Sequence, residues 1–165
     1  MTVDDLVKAD LGCKFLPHGL GHLIGCDTHD VGGYIDGTPN RADDIKVNLR
    51  TARVLEANMV LTNEPGCYFI DVNIDAVYAN PEQAKFVDKN VLERFRGFGG
   101  VRLEDVVLVT ENGPENLTVC PRTVEEVESV CAGGSWPPMK DDSPELKRCW
   151  VQMKEGGMGM EKVNI

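Results

Sequence analysis

No Cys-x-x-Cys pair occurs in this 165-residue sequence, although it holds six cysteines: Cys13, Cys26, Cys67, Cys120, Cys131 and Cys149. Such scattering excludes a zinc ribbon and offers no disulfide framework, so reduced thiols and a cytoplasmic location are the expectation. No apolar run approaches the ~20 residues that a membrane helix needs. The opening residues Met1-Thr2-Val3-Asp4-Asp5 are acidic where a secretory signal would be basic and then hydrophobic. Positive charge is scarce as well. With 17 Lys and Arg against 27 Asp and Glu the formal net charge is −10, which argues against nucleic acid or an anionic membrane as partner. Residues 133–165 carry five basic and five acidic side chains, so the whole negative excess lies in residues 1–132.

Histidine is the scarcest of the chemically versatile residues, and its distribution is uneven. All three, His18, His22 and His29, fall between Pro17 and Gly33. Imidazole titrates near neutrality and is the commonest metal ligand, so the gathering points to a site. A turn whose imidazoles satisfy only local hydrogen bonds is the bland alternative. His18 and His22 have the i, i+4 spacing of a zinc-protease helix, but that motif requires an adjacent Glu and a continuous helix. Gly19 and Gly21 stand between them, each costing a helix interior about 1 kcal/mol. The stretch reads instead as a glycine-rich loop in which backbone can approach a neighbour closely.

Along the chain, Val3, Leu6, Val7 and Leu11 repeat at helical spacing and Gly12 follows as a stop signal. Tyr34 to Ile45 is turn-rich, with Gly37, Pro39 and Asn40 marking a loop. Met59 to Thr62 reads as a strand, and Cys67 to Ile70 as its continuation or its hairpin partner. Residues 71–90 read as polar and irregular, Val91 to Phe95 as a helical turn, and Val101 to Val109 as one β-branched strand. Glu111-Asn112-Gly113 supplies a turn, and Thr123 with Glu126 forms a capping box for a helix to Val130. Residues 133–165, broken by Gly133-Gly134, Pro137-Pro138 and Gly156-Gly157, read as a flexible tail with one helical turn around Leu146 to Met153. Trp136 and Trp150 are its candidates for docking on the body.

Two acids occupy apolar surroundings: Glu64 closes a strand and Glu104 interrupts one. A buried carboxylate needs a cation, a proton or strong hydrogen bonds. Strand alternation puts Arg102 beside Glu104, so an ion pair is one reading. Convergence of Glu64, Glu104 and one histidine on a metal is the other. Such an oxygen-rich set favours Mn²⁺, Co²⁺ or Zn²⁺ over soft thiolate metals.

Five ordered segments carry a resemblance. They are Pro-His-Gly-Leu-Gly-His from Pro17, His-Asp-Val-Gly-Gly from His29, Leu-Arg-Thr-Ala-Arg from Leu49, Val-Leu-Thr-Asn-Glu-Pro-Gly from Val60, and Arg-Gly-Phe-Gly-Gly-Val-Arg-Leu-Glu-Asp from Arg96. Together they resemble the prolidases, the Xaa-Pro dipeptidase family of pita-bread metallopeptidases. The resemblance implies an α/β (α+β) fold for residues 1–132: the C-terminal half of a pita-bread, a mostly antiparallel curved sheet with short helices. It implies that His22, Glu64 and Glu104 are metal ligands, Glu104 bridging two ions. His29 and His18 would be catalytic, His29 stabilising a tetrahedral intermediate or assisting proton transfer, and His18 would also line the substrate pocket. Arg50 would hold a dipeptide's carboxylate, with Arg102 against the site. The implied cofactor is Mn²⁺, two per site in the family, with Zn²⁺ or Co²⁺ as alternatives.

The family takes two further aspartate ligands from an upstream strand pair, and only 21 residues precede His22 here. Two readings of that shortfall stand: a truncated, weakly active or inactive peptidase holding at most one ion weakly, or a catalytic half whose aspartates lie on sequence outside these residues. The expected partners are proline-containing dipeptides and a second chain, as a homodimer or a heterodimer with a full-length relative. A non-catalytic metal- or peptide-binding module is the alternative function.

Overall fold

The computed structural model describes residues 2–38 and 49–165. They form two compact units, Met1–Val54 with Thr62–Glu104, and Leu55–Leu61 with Asp105–Ile165. The part of the expected Tyr34–Ile45 loop that includes Pro39 and Asn40 lies outside the described residues.

The first unit opens with α1 (Val3–Lys8), where Thr2 and Asp5 form a reciprocal capping box. Gly12 does not stop this helix. The chain turns earlier, with Asp10 at φ 52°, and Gly12 begins a second short helix, α2 (Gly12–Phe15). The histidine stretch then runs as a loop alongside β1 (Val60–Asn63): the Thr62 and Glu64 amides donate to His22 O (2.8 Å) and Leu20 O (2.6 Å).

After Pro65 the chain enters β2 (Gly66–Phe69), which is neither a continuation of β1 nor its hairpin partner. It pairs antiparallel with β3 (Gly99–Arg102), Gly66 opposite Arg102 and Phe69 opposite Gly99. Between these strands residues 71–90 are helical rather than irregular: α3 (Asp71–Ala79), α4 (Pro81–Ala84) and the start of α5 (Lys89–Leu92), which runs into a 3₁₀ turn at Glu93–Phe95. The signals are local. Asn80 and Asp88 accept from the first-turn amides of α4 and α5, and Pro81 sits at the first position of α4. Ile74 and Val77, spaced three apart on α3, are the unit's most deeply buried apolar side chains. The Phe69 ring stacks on Phe95 at 4.4 Å and meets Phe15 and Phe98 edge-on.

The run Val101 to Val109 is two strands, not one. β3 ends at Arg102 and β4 (Asp105–Thr110) begins after a break at Leu103-Glu104, where the Leu103 amide donates to Pro65 O. Composition registers β-branched residues but not the partner each half takes.

In the second unit β4 pairs with β5 (Gly113–Asn116) through the expected turn, with Gly113 at φ 115°. The sheet order is β1–β4–β5. The helix capped by Thr123 and Glu126 is α6 (Val124–Cys131). Beyond it, only Leu146 of the turn expected at Leu146–Met153 is helical, at the end of a 3₁₀ turn from Pro144. Residues Val151–Met153 instead form β6, paired antiparallel with β7 (Met160–Lys162). Arg148 makes a parallel bridge to Asn116 of β5, and Trp136 Nε1 donates to Val119 O (2.7 Å). All six cysteines are unpaired thiols, and no helix among the described residues is long and apolar enough to cross a membrane.

Candidate metal centre

The glycine loop reaches the site because Gly21 has no side chain. A Cβ there would overlap the backbone carbonyl oxygen of Thr62, so only glycine lets the two backbones approach this closely. The next residue, His22, is 6% exposed. Its Nδ1 lies 2.9 Å from the carbonyl oxygen of Leu23, which can only accept, so Nδ1 carries a proton. Its Nε2 faces Glu64 Oε1 at 3.0 Å.

Glu64 is 9% exposed and its Oε1 also accepts from the Thr62 hydroxyl at 2.7 Å. Glu104 arrives from the break between β3 and β4, with its side chain 41% exposed. Ligand atoms of His22, Glu64 and Glu104 all lie within 4.8 Å of one another. Arg102 Nε stands 3.2 Å from Glu104 Oε2 and 3.8 Å from Glu64 Oε2. The Arg102–Glu104 ion pair and the three-residue convergence are therefore both present.

The donor set suits a divalent cation. An imidazole nitrogen and a carboxylate oxygen at hydrogen-bond distance share either a proton or a cation. One nitrogen with carboxylate oxygens matches Mn²⁺, Co²⁺ or Zn²⁺, and no thiol joins the group.

A second chain of contacts begins at the same guanidinium. Arg102 Nη1 donates to the Tyr68 hydroxyl (3.3 Å), which lies 2.8 Å from His18 Nε2. His18 Nδ1 lies 2.7 Å from Gly19 O, so Nδ1 carries the proton and the tyrosine hydroxyl donates to Nε2. Hydrogen bonding to Tyr68, followed by the charges of Glu104 and Glu64, raises the pKa of Arg102 above its ordinary value. His29 is exposed and meets the His22 ring edge-on, with centroids 4.4 Å apart.

Arg50 is exposed and takes no part in these contacts; the loop meets its segment through backbone and side-chain hydrogen bonds. The Ala52 amide donates to Gly33 O and the Tyr34 hydroxyl to Leu49 O, both at 2.9 Å. A side chain at Gly33 would overlap the Arg50 carbonyl.

Sequence reasoning missed Thr62 and Tyr68. Thr62 carried a signal, since it precedes Glu64 by two on a strand and so shares its face. Tyr68 is brought in by pairing of β2 with β3, which no local pattern encodes.

Residues 2–111 match metallopeptidase family M24. The chain is 54% identical to human Xaa-Pro dipeptidase over 132 residues, which is 80% of this chain and 27% of that protein. It is 48% identical over 134 residues to a probable Xaa-Pro aminopeptidase of Blastomyces gilchristii, covering 80% of this chain and 28% of the relative. Among solved structures it resembles the aminopeptidase PepP of Pseudomonas aeruginosa (TM-score 0.54, 36% identity, 81% of this chain and 24% of that one). It also resembles zinc-substituted Escherichia coli aminopeptidase P in complex with product (TM-score 0.51, 33% identity, 81% and 24%). The chain thus spans about a quarter of the length of these relatives. Its antiparallel strands and short helices are those of the pita-bread fold. With two-thirds of its residues matched and the three candidate ligands inside the matched span, the chain belongs to metallopeptidase family M24.

Proposed function

We propose that this chain carries three ligands of a Xaa-Pro dipeptidase metal centre and that it holds one divalent cation, Mn²⁺ by preference, weakly and without efficient turnover. The observation that supports this best is the meeting of His22, Glu64 and Glu104 ligand atoms within 4.8 Å, in a family of metallopeptidases. A dinuclear centre of the family's kind takes two more aspartates, and this reading assigns that role to none of Asp27, Asp30, Asp71 or Asp105.

A divalent cation bound at the centre would supply Lewis acidity toward a peptide carbonyl and lower the pKa of a water. The chain's own residues would do the rest. His22 and Glu64 would hold the cation through an imidazole nitrogen and a carboxylate oxygen, and Glu104 would supply a further carboxylate. His29, exposed beside His22, is placed to move a proton at its ring nitrogens. Arg50 and Arg102 are suited to grip the C-terminal carboxylate of a proline-containing dipeptide, because a guanidinium binds carboxylate bidentately. His18, held by Tyr68, would line the pocket. A second chain, a further copy or a full-length relative, is the expected partner, since Phe98, Val101 and Leu103 are exposed around β3. Reduced cysteines suit a cytoplasmic setting.

Calorimetric titration of Mn²⁺ into the wild type and Glu104→Ala tests the centre. Weaker binding by the variant is expected, and equal affinities would remove Glu104 from the site. Gly-Pro hydrolysis by the chain alone is expected to be negligible. Robust Mn²⁺-dependent turnover would contradict the incomplete centre.

A further inference from the structure

Thr62 touches both buried ligand residues, and it does so through a single hydroxyl. Its Oγ1 accepts from the His22 backbone amide at 3.0 Å and donates to Glu64 Oε1 at 2.7 Å. A hydroxyl has one proton, and the longer distance to His22 O (3.4 Å) leaves Glu64 as its recipient. The residue is 2% exposed, so water does not replace either contact.

We propose that Thr62 is a positioning residue of the metal centre: its hydroxyl locks Glu64 against His22 and so sets the geometry of the two ligand atoms. This rests on the metal-binding reading above. The argument is steric as well as polar. Thr62 is β-branched on a strand, so its χ1 is restricted and the hydroxyl has few directions available. The backbone of β1 is itself fixed to the loop, Thr62 N–H to His22 O and Glu64 N–H to Leu20 O. One hydroxyl on that frame removes the remaining freedom of the Glu64 carboxylate. It also occupies a lone pair of Oε1, the oxygen that faces the imidazole, and thereby limits how that oxygen can turn toward an ion.

The test compares Thr62→Val, which keeps the shape and loses the hydroxyl, with Thr62→Ser, which keeps the hydroxyl, in the full chain. Mn²⁺ affinity is read by calorimetry and ligand geometry by the visible absorption of bound Co²⁺, with apo melting temperature as the folding control. Thr62→Val is expected to weaken Mn²⁺ binding about 10–100-fold and to alter the Co²⁺ spectrum, and Thr62→Ser to restore both. Thr62→Ala replaces the valine variant where that variant does not fold. A purely structural threonine would lower the melting temperature and leave the Co²⁺ spectrum of the folded fraction unchanged, which overturns the proposal. So would unfolding of both hydroxyl-free variants beside a folded serine variant, because the hydroxyl would then be a folding determinant. Failure of the wild type to bind Mn²⁺ would contradict the centre itself. Unchanged binding by Thr62→Val beside a normal wild type would contradict only the role of Thr62.

Discussion

Two clusters of buried charge, one in each compact unit, have opposite balances of donors and acceptors. In the second unit Arg148, with its side chain 1% exposed, bonds both Glu126 oxygens (2.8 and 3.1 Å) and both Asp141 oxygens. The remaining acceptor capacity is taken by the Arg122 and Thr123 amides on Glu126, and by the Ser143 amide and Trp150 Nε1 on Asp141. Trp136 and Trp150 flank the guanidinium, with ring centroids 5.5 and 5.0 Å away. Every charge there has its partner. In the first unit ligand atoms of His22, Glu64 and Glu104 lie within 4.8 Å of one another, while Arg102, the cation beside them, is 44% exposed and divided among three groups. Burial of charge alone therefore does not mark a functional site. What distinguishes the first cluster, and what the proposed metal centre rests on, is two carboxylates and an imidazole beside a single, half-exposed cation.

The hardest blow to that comparison should be Arg148→Met. It leaves two carboxylates buried without their cation, and the expected loss is about 3–5 kcal/mol in urea denaturation. A loss below about 1 kcal/mol would mean the cluster is not saturated as described. Next comes pH. Glu126 and Asp141 are both lowered to about 2, chiefly by hydrogen bonds from Arg148, against ordinary values of 4.5 and 3.8. The unfolded chain therefore binds protons first as pH falls, so their stabilisation is complete above about pH 4.5 and is lost on the way to about pH 2. Denaturation measured across this window should show the slope in wild type, and Arg148→Met should flatten it.

On the other side of the comparison, Gly21→Ala would force the loop away from the Thr62 carbonyl. It should cost about 1–3 kcal/mol and weaken Mn²⁺ binding, because His22 moves with the loop. Tyr68→Phe should be the mildest change, about 0.5–1.5 kcal/mol, since it removes one hydroxyl between His18 and Arg102. A double-mutant cycle with Arg102→Met measures whether that hydroxyl couples the two.

What could be read from residues alone follows the range of the interactions. The capping boxes at Thr2 and Thr123 are local; Thr123 with Glu126 was legible and marks the observed helix. The glycine loop was legible because Gly19 and Gly21 exclude a helix. The helices at 71–90 are masked in the sequence by their polarity, although Asn80-Pro81, Asp88 and the spacing of Ile74 and Val77 announce them. The division of Val101–Val109 could not be read, since it depends on β2 and β5, the separate partners of the two halves. The buried Arg148 was hidden for the same reason: its partners lie seven and 22 residues away, in a stretch whose glycines and prolines suggest no order. At the site, ligand atoms of His22, Glu64 and Glu104 lie within 4.8 Å of one another with Arg102 beside the two carboxylates. Thr62 and Tyr68, which hold them, gain meaning only from pairing.

X-ray absorption at the metal edge of the zinc-loaded chain asks most directly whether His22 and the carboxylates beside it hold a cation. The account predicts a first shell of one imidazole nitrogen with carboxylate or water oxygens, and loss of the imidazole signal in His22→Ala. A shell containing cysteine sulfur, or one of water oxygens alone, would contradict it.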